Sequence, residues 1–177
     1  MSLPPAQDPH ELLPVVDDQD RLVDLAPRWR VHRDGLRHRA AHVLLFDPAG
    51  RVYLQQRSAA KDTHPGKWTS SASGHVDPGE EYHQTARREL REELGLDLEP
   101  LPAGRLAAGP ATENEFSAVY YLVSDLTPQP NPVEIAAGRF FTRAEAQALA
   151  ADPRQGVPAL APVLALGWAA LERADQA

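Results

Sequence analysis

Residues Gly74–Leu96 read GHVDPGEEYHQTARRELREELGL and hold six acidic residues, Asp77, Glu80, Glu81, Glu89, Glu92 and Glu93. Pro78-Gly79 shapes a turn. The pattern after it predicts a helix from about Glu80 to Leu94, stopped by Gly95 as a C-terminal cap. On that helix Ala86, Leu90 and Leu94 fall at i, i+4 and i+8, an apolar stripe able to pack on a sheet. Glu89, Glu92 and Glu93 fall at i, i+3 and i+4 and share the neighbouring face. Like charges at this spacing repel by about 0.2–0.5 kcal/mol a pair in water. A solvated helix face tolerates them, and so does a bound divalent ion. Mg²⁺ prefers oxygen ligands and commonly bridges protein carboxylates to substrate phosphates.

Outward from this helix, strands and helices interleave, which predicts a mixed α/β or α+β fold. ELLPVVDDQDRLVDLAPR reads as two short strands about the turn Asp17–Asp20, and RHRAAHVLLFD and RVYLQQRS as two more about the turn PAG. GRLAAG and EFSAVYYLVSD read as further strands. Thr142 with Glu145 three residues later marks the start of a helix, and residues 156–175 read as a terminal one. The 17 prolines fall mostly between these segments and punctuate loops. Residues 1–10 read as a loose tail and 11–177 as one domain.

Hydrophobic residues are 42% and charged residues 24% of the chain, which argues against wholesale disorder. A net charge of −7 argues against a nucleic-acid partner. The absence of cysteine excludes disulfides, thiolate metal sites and cysteine nucleophiles. The start MSLPPAQDPHELL lacks the basic-then-apolar pattern of a secretory signal. PALAPVLALGWAAL is too short to span a bilayer. A soluble cytoplasmic protein with no membrane partner is the expectation.

Spacing adds more than charge. Five residues separate Gly74 from Glu80, and seven separate Glu80 from the run RELREELGL, Arg88–Leu96. This resembles the Nudix box, Gly-x5-Glu-x7-Arg-Glu-apolar-x-Glu-Glu-x-Gly-apolar, at every defined position. The resemblance implies an α/β/α sandwich around a mixed sheet. It also implies Glu89, Glu92 and Glu93, with Gly74 at the head of the box, as the site of Mg²⁺ or Mn²⁺. Arg88 and Glu80 are implied to organise the loop and helix, and Glu134 stands where such enzymes often carry a loop acid. The implied chemistry is water attack on a small-molecule diphosphate. Dimers are common in the family, so a homodimer is expected.

The flanks resemble one branch of that superfamily. LRHRAAHVLLFDPAGRVYLQQRSAAKDTHPGKWTSSASGHVDPGE and the later ENEF are similar to isopentenyl-diphosphate isomerases. That branch implies a second metal site of three histidines and two glutamates. His38, His75, Glu113 and Glu115 match it, with His32 as a third histidine of slightly different spacing. Such a donor set suits Zn²⁺, Mn²⁺ or Mg²⁺. Arg57 and Lys61 match residues that hold the substrate diphosphate. Taken singly, each of these histidines reads as a structural one and each cation as surface charge; the joint spacing of His38, His75 and the Glu113/Glu115 pair sets the metal reading level with the structural one. His42 reads as a strand residue. Trp68, Tyr53, Phe116 and Tyr120 read as core or as pocket lining.

Two positions depart from the isomerases. Ser73 stands where they carry a catalytic cysteine, and a serine hydroxyl is far less acidic than a thiol. Glu89 stands where they commonly carry arginine. The expectation is therefore a hydrolase on an isomerase-like scaffold, with an isomerase and a non-catalytic diphosphate sensor as the alternatives.

Overall fold

The computed structural model describes residues 7–176. Its acidic helix, α2, spans Tyr82–Leu94. It starts two residues later than the pattern predicts because Glu81 takes the N-cap, its N–H donating to the Gln84 side chain at 2.8 Å. Glu80 is left in the preceding turn. At the other end Gly95 has φ +68°, and the N–H groups of Gly95 and Leu96 donate to Arg91 and Leu90 carbonyls. Glycine adopts this left-handed geometry without a Cβ penalty.

The centre of the sheet is a parallel pair, β3 (His38–Phe46) and β8 (Glu115–Val123), in register from His38↔Glu115 to Phe46↔Val123. β7 (Leu101–Leu106) runs antiparallel to β8, and β6 (Ala72–His75) antiparallel to β3. β4 (Val52–Arg57) leaves β3 through a tight hairpin and pairs with β9 (Ile135–Phe141) and the two-residue β5 (Trp68–Thr69). β7 begins at Leu101, ahead of the GRLAAG segment expected to form it.

The period-2 alternation of β3 and β8 sends side chains to two cores. Ala41, Val43, Leu45, Ala118, Tyr120 and Leu122 pack under Ala86, Leu90 and Leu94 of α2. Leu44, Phe46, Val119 and Tyr121 face the opposite layer, α3 (Arg143–Ala151) and α4 (Leu160–Ala174). The result is an α/β/α sandwich with a mixed sheet. Thr142 caps α3 and exchanges hydrogen bonds with Glu145 as expected. The last helix begins at Leu160, not at Gly156, because Trp68 holds the preceding chain: its N–H donates to Gln155 O at 2.7 Å and its carbonyl accepts from Val157 at 3.0 Å.

Tyr53 and Tyr120 are buried beneath α2, Phe116 packs beside them, and half-buried Trp68 meets Phe141 edge-on at 5.0 Å. Tyr53, Tyr120 and Trp68 serve packing, while Phe116 also lines a surface hollow with Tyr82 and Arg105.

The hairpin β1 (Leu12–Val16) and β2 (Leu22–Pro27) forms its own small sheet, with a core of Leu13, Val15, Ala26 and Val31. It leads into α1 (Arg28–Asp34), which has no apolar repeat to announce it and buries only Arg28 and Val31. The expected tail over residues 1–10 lies in part outside the described residues. Within them, Asp8 and Pro9 accept hydrogen bonds from Glu11 and Trp29 at 3.2 and 3.1 Å. No described helix is long and apolar enough to cross a membrane.

Candidate active site

α2 presents Glu89 and Glu93 to the sheet edge, both buried. Glu93 Oε2 accepts from Gln55 Nε2 at 2.6 Å and from the Ser73 N–H at 2.9 Å. Gly74 sits against Glu89, and a Cβ there would run into the carboxylate. The missing Cβ, rather than an unusual φ, is what lets the Glu89 carboxylate lie against the strand here. Burial raises both carboxyls well above the ordinary range; the Glu93 charge adds to the rise at Glu89, and Lys61 opposes it at Glu93. Glu92 departs from the shared-face expectation. Its side chain is 51% exposed and, among the described residues, pairs with Arg88 at 3.3 Å.

Arg88 ties turn to helix. Its Nε and Nη2 form a fork on Glu80 at 2.9 and 3.0 Å, Nη1 donates to Glu89 at 2.6 Å, and Nη2 also donates to the His75 carbonyl at 3.1 Å. Burial opposes ionisation of Glu80, yet the Arg88 hydrogen bonds hold its carboxyl below the usual range.

Glu134 comes from the loop before β9. The Asn131 N–H donates to Glu93 O at 2.9 Å and the Gln129 N–H to Leu94 O at 2.8 Å, so this loop satisfies the last carbonyls of α2. Glu134 thereby meets Lys61, whose Nζ is 2.7 Å from Glu134 and 3.8 Å from Glu93. Lys61 is buried. Arg57 donates to Thr63 O and Oγ1 at 2.9 and 3.1 Å. Arg28, Arg57 and Lys61 line one cleft with His42, Ser73, His75 and Glu115.

At the far side of the cleft, donor atoms of His32, His38 and His75 lie within 4.8 Å of one another. Glu115 Oε1 is 3.4 Å from Nε2 of both His38 and His75. Glu113 lines the same hollow as His32, His38 and Glu115, with its carboxylate turned to His64. Its residue takes φ +54° at the end of a short 3-10 turn, and its carboxylate pairs with His64 at 2.7 Å. α1 brings His32 into the cluster. Asp62 lies 3.3 Å from His32 Nδ1 and forms a fork with Arg28, whose Nη1 meets His75 Nδ1 at 3.0 Å. Sequence reading missed Arg28 and Asp62. The i−4 spacing of Arg28 from His32 was the available signal.

Buried polar atoms without partners are rare in folded proteins. Among the described residues they are His38 Nε2, His42 Nε2 and Ser117 Oγ. His38 Nδ1 donates to the Leu36 carbonyl at 2.8 Å, so Nε2 offers its lone pair toward the cluster, as a metal ligand must. Burial pushes His75 down to about 3, so its ring is neutral. Its Nδ1 accepts from Arg28, which puts the ring proton on Nε2, and uptake of an ion there must displace that arrangement. Three imidazoles and a carboxylate fit a transition or divalent ion; the carboxylate-only site on α2 fits a hard cation.

The NUDIX domain pattern matches residues 36–161. An isopentenyl-diphosphate Delta-isomerase of Nocardia farcinica is 43% identical over 164 residues, covering 88% of this chain and 94% of that protein. An uncharacterized Nudix hydrolase of Pseudomonas aeruginosa is 37% identical over 132 residues, 74% of this chain and 78% of that one. The crystal structure of DR0079 from Deinococcus radiodurans superposes with a TM-score of 0.78 at 30% identity, over 88% of this chain and 98% of that one. An intact box on a sandwich of this topology, matched over most of its length, makes this chain a member of the NUDIX domain family.

Proposed function

We propose that the protein is a metal-dependent hydrolase of organic diphosphates. The observation that carries this reading is the buried Glu89–Glu93 pair held directly behind Gly74 and Ser73, which line a cleft together with Arg28, Arg57 and Lys61. Glu89 and Glu93, with Glu92 at the rim, would hold Mg²⁺ or Mn²⁺. A divalent ion held there supplies charge neutralisation for the attacking and leaving oxygens of the diphosphate. Arg57 and Lys61 bring positive charge to the same anion. Burial and repulsion between neighbouring carboxylates raise the proton affinity of Glu89 and Glu93, and a divalent ion held between them would relieve that repulsion and favour their ionised forms. Glu134 positions Lys61 through its 2.7 Å ion pair. Arg88 and Glu80 fix the turn that carries Gly74. We further propose that residues 11–177 act as one domain.

A panel of nucleoside, sugar and isoprenoid diphosphates, incubated with and without Mg²⁺, tests this. Mg²⁺-dependent release of phosphate or a monophosphate is the expected result, and no release across the panel sinks it.

The isomerase reading is favoured by the 43% identical relative bearing that name. Ser73 speaks against it, because no thiol is present to exchange a proton at carbon. Double-bond migration in the isopentenyl diphosphate sample would establish it.

His32, His38, His75 and Glu115 we propose as a second ion site. His38→Ala is expected to remove one bound Mn²⁺ or Zn²⁺ per chain, counted by elemental analysis after dialysis. Equal metal content in the variant would exclude His38 as a ligand.

A further inference from the structure

Gln55 is buried in β4, and the functional reading above gives it no role. Tyr53, Gln55 and Arg57 stand on one face of this strand. Tyr53 packs beneath α2 and Arg57 lines the cleft, so Gln55 sits where core gives way to site. An apolar side chain would fill that position with no amide to desolvate. The glutamine instead uses both of its amide hydrogens. Nε2 donates to the Ser71 carbonyl at 3.2 Å and to Glu93 Oε2 at 2.6 Å. A carbonyl can only accept, so the orientation of the amide follows from the network. Ser71 is fixed in turn, because its Oγ accepts from the Leu45 N–H at 2.8 Å and donates to the Tyr53 carbonyl. The donor on Glu93 is thereby held by a chain of hydrogen bonds rooted in the backbone of β3 and β4.

The two oxygens of Glu93 are treated differently. Oε2 takes two donors, Gln55 and the Ser73 N–H at 2.9 Å. Among the described hydrogen bonds none reaches Oε1, which lies 3.8 Å from Nζ of Lys61, a wall residue of the cleft. A carboxylate with one oxygen anchored by two donors is held in one orientation, and its other oxygen keeps its lone pairs for a cation.

We propose that Gln55 is a positioning residue, which anchors Oε2 of Glu93 so that Oε1 is the oxygen offered to the divalent ion. The inference rests on the reading of Glu89 and Glu93 as the groups that hold this ion. Gln55 itself touches neither ion nor substrate and acts through Glu93.

Gln55→Met fills nearly the same space and removes the donor. Mn²⁺ is titrated, by loss of the spin-resonance signal of the free ion, into His38→Ala protein with and without Gln55→Met, so that the α2 site is read apart from the histidine cluster. Gln55→Met is expected to weaken this ion about tenfold or more, as for groups that orient metal ligands. Turnover supplies a second measurement, as a cycle with Glu93→Gln. Alone, Gln55→Met is expected to lower turnover about tenfold at limiting Mg²⁺, with most of the loss restored by saturating Mg²⁺. Added to Glu93→Gln it lowers turnover by less than about twofold, because its route of action is already gone. Equal Mn²⁺ affinity with and without Gln55→Met overturns the proposal and leaves the hydrolase reading standing. A full further loss in the Glu93→Gln background, which is what damage to the fold would give, also overturns it. Absence of any Mn²⁺ site sensitive to Glu93→Gln in the His38→Ala protein overturns the proposal together with the ion reading of α2. No turnover across the diphosphate panel removes the hydrolase reading, and the Mn²⁺ comparison then decides the role of Gln55.

Discussion

Glu93→Gln is expected to lower turnover at least about a hundredfold, the scale on which positioned acid–base or charge-stabilising groups act, while the protein stays folded. The amide is nearly the same size and keeps an oxygen to accept from Gln55 and the Ser73 N–H. What it loses is the charge, and that charge is disfavoured here: burial raises the Glu93 carboxyl, and the neighbouring Glu134 adds to the rise. Removing it relieves repulsion with Glu89, while Lys61 keeps its shorter pair with Glu134. Melting temperature should therefore hold or rise slightly. A second readout separates ligand loss from misfolding. Mg²⁺ should raise the melting temperature of wild type by mass action and leave that of the variant unmoved. Turnover within a factor of about three of wild type, well short of that hundredfold scale, would falsify the assignment of Glu93 to the chemistry.

Arg88→Ala should produce the largest stability change. One guanidinium pairs with Glu80, Glu89 and Glu92 and also holds the His75 carbonyl. Without it the Glu89 carboxylate is buried with no cation in contact, and the turn carrying Gly74 loses its tie to α2. Breaking one side of a buried charge pair costs about 3–5 kcal/mol. At roughly 2–4 °C per kcal/mol for a chain of this size, the melting temperature falls by about 6–20 °C. Arg88→Lys keeps the charge but not the fork on Glu80, and should fall between the two. Thermal unfolding followed by circular dichroism decides the matter. An alanine variant melting within about 2 °C of wild type would mean that neither carboxylate depends on Arg88.

Much of this fold is legible along the chain because its cues act within one turn. Leu90 and Leu94 mark the buried face of α2, Gly95 its end, and Thr142 with Glu145 the start of α3. The errors are of two kinds. Boundaries moved where a tertiary partner claimed the chain, as Trp68 did with Gln155 and Val157 ahead of α4. α1 went unread because RWRVHRD buries too little apolar surface to show a period.

Helix geometry alone is enough to put Glu89 and Glu93 within one turn, since their spacing and the 3.6-residue repeat require it. Everything that makes them a site comes from far away in the chain. Gln55 reaches Glu93 across 38 positions and Lys61 reaches Glu134 across 73. Whether Glu92 faces the sheet or solvent, whether Glu113 or Glu115 joins the histidines, and whether the second nitrogen of His42 finds a partner depend on how β3, β6 and β8 lie beside one another. Local spacing carries no information about those pairings, because they are set by burial of two cores on opposite faces of one sheet.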